Sequence, residues 1–326
     1  MLNYIIRRIL YAIPILFGII LITFLLFNVV GGNPVYQMLG KHATQEQIKE
    51  FEHEYGFDKS LFIDFQALKN AEIIKTFDSQ FVFFIKQVIT FDFGRSYSSK
   101  QKITTMIADG IVPSLSLAVP SFIIGVIVAL IIAFICAYYR NTLIDRFTVI
   151  ASVLGMSISV LAYIIGGQYI LAYKMGWLPI SGYESGINAI PYLILPALIW
   201  IINSLGSDVR FFRTVILDEI NQNYVRTAYA KGLSPQKTLF KHVLKNAMIP
   251  IITALVIVIP YLYTGSLLLE NFFGIPGLGN MTINAIANSD FPVVKFMTFT
   301  GALIYVIFNT LSDILYSVVD PRVRLK

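Results

Sequence analysis

The chain has 326 residues, 56% of them hydrophobic and only 13% charged, with a mean hydropathy of +0.71; soluble domains carry about a quarter charged residues. That balance excludes an ordinary soluble enzyme, and it assigns the +6 formal charge to the cytoplasmic loops of a membrane protein rather than to a nucleic-acid surface. Cys136 is the one cysteine and lies in an apolar run, and His42, His53 and His242 lack metal-ligand spacing, so neither a disulfide framework nor a metal site is expected.

Spanning a bilayer takes about 20 apolar residues at about 1.5 Å each. Six stretches meet that length, at residues 9–30, 115–138, 147–173, 191–207, 247–269 and 293–319. The first follows Arg7 and Arg8 and so begins like a signal peptide. It is longer than a signal's apolar region and ends in no small-residue cleavage site, which makes it a retained helix. The fourth is expected to continue as helix into the cytoplasm. Six spans put both termini on one side. Arg140, Arg146, Arg210, Arg213, Arg226, Lys231, Lys237, Lys241, Lys245, Arg322, Arg324 and Lys326 share the side of Arg7 and Arg8, whereas the short connections opposite hold only Lys174. The basic side is therefore expected to be cytoplasmic.

Residues 31–113 form the one sizeable stretch outside the membrane. They open on Gly31-Gly32-Asn33-Pro34, a turn signal. A polar helix is expected near 44–55, with Thr44 as N-cap and Glu46, Glu50 and Glu54 four apart, and a second amphipathic stretch near 80–90. The segment is either a small folded cap or a packed loop with no binding role.

Residues 224–250 read as two short helices with a break between them. Gly232 suits the left-handed position after a helix end. Ser234 and Pro235 suit an N-cap and a first helical residue. On the second helix Leu239, Phe240, Val243 and Leu244 fall on one side, and Lys237, Lys241 and Lys245 on another. Such a helix either rests on lipid headgroups or docks on a partner, and spacing alone leaves both open.

Further on, Gly274, Pro276, Gly277 and Gly279 follow Glu270 and exclude a continuous helix, while 281–288 reads as a short one. Broken backbone near a membrane needs water or protein around its polar groups. This stretch is either the outer mouth of an aqueous path or a tightly packed re-entrant turn. In the sixth span Asn309 and Asp313 share a face, either as a functional polar pair or as a helix–helix hydrogen bond. No phosphate-binding glycine loop and no Ser/His/Asp or paired-carboxylate constellation stands out. The chain is expected to be no enzyme, and the cytoplasmic parts are too short for an ATPase domain, so any ATP motor is another chain.

Five stretches occur in order along the chain: YIIRRILYAIP near the start, DFGRSYSS at 92–99, GWLPISGY at 176–183, ENFFGIPGLGN at 270–280 and VVDPRVR at 318–324. Together they resemble the inner-membrane permease subunits of peptide-type ABC importers, most like the B-type subunit of oligopeptide or dipeptide transporters. Residues 224–245 then resemble that family's EAA loop. Gly232 stands at its glycine, Arg226, Thr227 and Ala228 at its opening positions, and His242, Leu244 and Lys245 at its closing ones. The ATPase-coupling surface so implied comprises Arg226, Thr227, Ala228, Lys231, Gly232, Leu233, Ser234, Pro235, Leu239, Phe240, Lys241 and His242. Glu270, Gly274, Pro276, Gly277 and Gly279 form the candidate outer-mouth segment. Two departures carry expectations. Lys245 replaces the family's closing proline, which leaves the end of the second helix open. Val160 replaces a proline frequent in relatives, so the third span is expected to be straighter here.

The resemblance implies an all-α membrane protein of the type I ABC importer permease fold, with six transmembrane helices. Residues 1–30 would be the tail and first helix, 31–113 an extracellular insertion between helices one and two, and 114–326 a five-helix core with a coupling loop at 209–246. It implies a multi-pass protein of the bacterial cell membrane. Its partners would be a second homologous permease, two ATP-binding subunits, an extracellular substrate-binding lipoprotein and the lipid bilayer, with no nucleic acid. ATP and Mg would sit on partner subunits, with no cofactor or metal bound by this chain. Oligopeptides or dipeptides are the expected cargo, and the same architecture also serves nickel, metal-chelate or glutathione import. An ion-coupled secondary transporter is the reading from another class. It requires mid-membrane charges and broken helices in two repeated halves.

Overall fold

The computed structural model describes residues 2–31, 35, 39, 43–64, 76 and 78–319. The turn at 32–34 and the Asp320-Pro321-Arg322 ending lie outside the described residues. Among the described residues the regular elements are all helices. Five are long and apolar enough to cross a membrane, and the bent pair Leu143–Ser157 and Val160–Lys174 makes a sixth candidate span. The protein is thus an all-α, multi-pass membrane protein. The chain divides into two compact units, residues 111–280 with 308–319 and residues 2–110 with 281–307.

In the unit of residues 2–110 and 281–307, the first span runs as an α-helix over Leu2–Phe24 and widens into a π turn over Leu25–Val30. The Gly31 amide donates back to the Leu26 carbonyl at 2.8 Å. Helix Gln45–Tyr55 starts on the expected cap, a reciprocal box in which Thr44 Oγ1 accepts from the Gln47 amide and Gln47 Oε1 from the Thr44 amide. Helix Gln80–Thr90 is held by aromatic packing, since buried Phe24 meets Phe81 and Phe84 at 5.1 and 6.2 Å between ring centroids.

The second span, Ile103–Tyr138, is 36 residues long, or about 54 Å. It begins about twelve residues before the apolar stretch does. A hydropathy window reads Thr104, Thr105 and Asp109 as loop, although none of them breaks a helix.

In the unit of residues 111–280 and 308–319, the third span contradicts the expectation of a straighter helix. It is bent by 91° between Ser157 and Val160, with no proline there. Ile158 takes an extended conformation, and Ser159 restarts the helix as an N-cap, its side chain accepting from the Ala162 amide at 3.3 Å. The Gly155 carbonyl freed by the break accepts from the Tyr163 hydroxyl at 2.9 Å. A serine cap supplies what proline was expected to supply.

The fourth span is one helix, Ile190–Ile220, and continues past the apolar stretch as expected. It lies close against Leu143–Ser157, because a Cβ on Gly206 would stand 2.6 Å from the Ser152 carbonyl oxygen. The same pair is clamped by Arg213, whose Nε and Nη2 donate to the two Asp145 carboxylate oxygens at 2.6 and 2.8 Å. The fifth span, Leu244–Thr264, breaks at Gly265, with φ of +69°, and resumes over Leu267–Phe273. Ala129, Ala133 and Ala137 of the second span let Phe212 and Ile216 of the fourth approach, and Ala247 and Ile251 of the fifth close the same buried cluster.

Candidate functional site

The loop expected at 224–250 begins with helix Asn223–Ala230. Its end is closed by three amides that turn back onto helical carbonyls: Lys231 to Thr227 at 3.1 Å, Gly232 to Tyr229 at 2.9 Å and Leu233 to Ala228 at 3.2 Å. Gly232 has φ of +79°, and a Cβ there would meet nothing within 4 Å. Glycine is needed for backbone conformation alone. Ser234 then caps Pro235–Thr238, accepting from the Lys237 amide. The helix does not stop at Lys245. It widens into a π turn over Leu239–Val243 and runs on through Pro250 to Thr264. The second loop helix and the fifth span are one continuous rod.

The loop divides its side chains sharply. Leu239 and Val243 are 5% and 1% exposed and join Val225, Phe212 and Ile216 in the chain's own core. The apolar side expected to meet a partner is therefore largely filled from within. What remains outside is Arg226, Thr227, Lys231, Gly232, Ser234, Pro235 and Lys241, with Ala228 buried and Leu233 and His242 half-buried. Two aromatic rings accompany the cations, Tyr229 and Phe240, the latter 62% exposed with its ring 4.4 Å from that of Phe134. At the loop's entry the Tyr224 hydroxyl donates to Glu219 Oε2 at 2.5 Å. Burial first, and the carboxylate acceptor second, push that hydroxyl up to about 12, so it stays a donor.

The second candidate, around Glu270, is a packed turn. The Glu270 side chain is fully buried. Its Oε1 accepts from Ser114 Oγ at 2.9 Å and the Ser266 amide at 3.1 Å, and its Oε2 from the Gly279 and Asn280 amides at 2.8 and 3.2 Å. Ser114 Oγ also accepts from the Leu278 amide at 2.7 Å. The Gly279 and Asn280 amides belong to the first turn of helix Leu278–Ala287, so a carboxylate sits where the helix dipole favours one. Gly277 is buried, and it must be glycine because a Cβ there would overlap the carboxylate and Ser114 Oγ. Gly274, with φ of +66°, closes the preceding helix, and Pro276 stays exposed.

The 176–183 stretch belongs to the same turn, since the Gly182 amide donates to the Phe273 carbonyl at 2.7 Å and Leu178 and Tyr183 pack on the cluster of Phe273 and Ile275. The 92–99 stretch is tied elsewhere. Buried Asp290 accepts from Ser96 Oγ at 2.5 Å and the Tyr97 amide at 2.9 Å. Stretches that look separate in the sequence are thus paired around two buried acids. Asn309 and Asp313 are half-buried, one turn apart on helix Phe291–Val319.

Sequence reasoning missed Ser114, Asp145 with Arg213, and Asp290. Ser114 hides in an apolar run and Asp290 in a polar connection, and neither shows a pattern until its acceptor or donors are placed.

Long apolar helices joined by a basic, exposed loop and glycine-packed connections define a multi-pass membrane protein. The model for binding-protein-dependent transport system inner membrane components matches residues 125–325, and the model for the N-terminal part of such components matches residues 1–118. The chain belongs to that family. It is 32% identical to a putative peptide transport system permease protein of Brucella abortus, over 98% of both chains. It is 30% identical to glutathione transport system permease proteins of Shigella flexneri and Escherichia coli K12, over 100% of both chains.

Proposed function

We propose that this chain is the permease subunit of an ATP-driven importer of short peptides in a bacterial cell membrane, forming half of the translocation path. The observation that carries the reading is the end-to-end similarity to permeases named for peptide and glutathione transport. Glutathione, itself a tripeptide, is the second cargo, favoured by the enteric relatives.

In this reading the loop at 223–245 docks on an ATP-binding subunit. Tyr229 and Phe240 serve as aromatic anchors, and Arg226, Lys231, Lys237 and Lys241 supply register by charge. Leu239 and Val243 tie the loop into the core beneath it, so a pull on the loop moves the second, fourth and fifth spans together. ATP and Mg belong to two partner subunits, and this chain binds neither. A second homologous permease supplies the other half of the path, and an extracellular lipoprotein delivers the cargo. Both termini and the basic loops face the cytoplasm, and the turn at 270–280 borders the outer end of the path.

The test is uptake by the assembled transporter in vesicles. Uptake should survive collapse of the proton and sodium gradients and stop when the phosphate-binding lysine of the ATP-binding subunit is replaced. Uptake that follows the ion gradients and ignores that lysine would overturn the reading.

A further inference from the structure

Helix Gln80–Thr90, expected outside the membrane with the rest of residues 31–113, is apolar and packs directly on the first span. Phe81 packs on Phe17 and Phe24, at 6.3 and 5.1 Å between centroids. Phe24 is six residues inside the first span's end at Val30, or about 9 Å. Just beyond the helix, Phe93 packs on Phe296 and Phe299 at 5.1 and 6.2 Å. Those rings are five and eight residues inside the span that starts at Phe291, about 7 to 12 Å along it. The helix nevertheless turns Ile89 outward, 73% exposed, with Phe91 beside it at 45%. Beside membrane spans, lipid is the solvent that covers such side chains.

Next to them opens a cleft of about 380 Å³, with Phe83, Phe93 and Tyr55 in its lining and Lys86, Arg95 and Lys102 as its cations. Asp92 is the one acid among its described lining residues, and one of that acid's oxygens already accepts from the Gly94 amide at 3.0 Å. Arg95 spends one N–H on the Lys100 carbonyl at 2.9 Å. The Lys86 and Lys102 ammonium groups have no hydrogen-bond or ion-pair partner among the described residues.

We propose that this cleft binds the headgroup of an anionic phospholipid, its phosphate held by Lys86, Arg95 and Lys102 and its acyl chains lying over Ile89 and Phe91. A peptide or an acidic loop of a partner protein matches the cations equally well but leaves the two apolar side chains uncovered. The inference requires only that the chain spans a bilayer, so it stands apart from the transport reading.

The test is native mass spectrometry of the assembled transporter, titrated with phosphatidylglycerol or phosphatidylcholine. The protein is expected to hold phosphatidylglycerol preferentially. K86Q/R95Q/K102Q should weaken that preference by about fivefold per cation, on the order of a hundredfold in all. Ile89→Gln should lower retention of both lipids and leave the preference intact. If the triple variant does not assemble, Lys86→Gln alone should show the single fivefold step. Equal phosphatidylglycerol retention by wild type and variant would overturn the proposal. So would a variant that keeps the lipid but loses the substrate-binding protein in phosphatidylcholine bilayers, because the cleft would then be a protein-docking site.

Discussion

Gly232 and Gly277 mark two breaks in the same unit, and their surroundings are opposite. Around Gly232 a Cβ would find open space, and the neighbouring Lys231, Ser234 and Pro235 face outward. Around Gly277 the space of a Cβ is already taken by the Glu270 carboxylate and the Ser114 hydroxyl. In the turn, every donor aimed at the acid is accounted for within the chain. In the loop, the apolar side is spent inward while cations and two aromatic rings are left outside. A connection that satisfies itself holds the fold. One that leaves cations and aromatic rings exposed is the surface that the proposed function assigns to a partner.

The largest expected effect breaks the self-satisfied side. Glu270→Ala leaves the Ser114 hydroxyl and three amides facing a void, and should cost about 3–5 kcal/mol. The readout is loss of folded permease from the membrane and a lowered unfolding temperature in detergent; wild-type levels would remove the acid from its central role. Leu239→Ala opens a cavity under the loop, with a cost of about 2–4 kcal/mol on the same measurement. Gly277→Ala forces the acid or Ser114 to shift, at about 1–3 kcal/mol.

Gly232→Val should cost only about 1–2 kcal/mol, as a left-handed residue with a side chain, and leave the permease in the membrane. Its effect should appear instead as ATP hydrolysis without uptake. Normal uptake would place the coupling elsewhere. Tyr224→Phe is the smallest change, removing one hydrogen bond worth about 1 kcal/mol. Because the hydroxyl is held at about 12 against an ordinary value near 10, its contribution is complete below pH 10 and is lost between pH 10 and 12. A loss already complete by pH 8 would contradict that assignment.

Much of this was legible from residue order. Apolar length marked the spans, and Thr44, Ser234 and Gly232 marked caps and a break at positions where the structure has them. What was not legible depends on partners distant in sequence. Ser114 and Glu270 are 156 residues apart, and no local pattern connects them. The 91° bend at Ile158 is not legible because proline is the residue that signals a bend in sequence, while here a serine cap achieves the same break. The inward turn of Leu239 and Val243 was hidden because helical periodicity identifies an apolar face without saying what covers it.

The central claim, that the loop's outer face is covered by an ATP-binding subunit, is tested most directly by thiol accessibility. Cys136 is fully buried, so a Ser234→Cys variant places the one exposed described thiol on the loop. In inside-out vesicles that thiol should react rapidly with a membrane-impermeant maleimide when the permease is alone, and be protected when the ATP-binding subunits are bound. Equal labelling in both preparations would contradict the account.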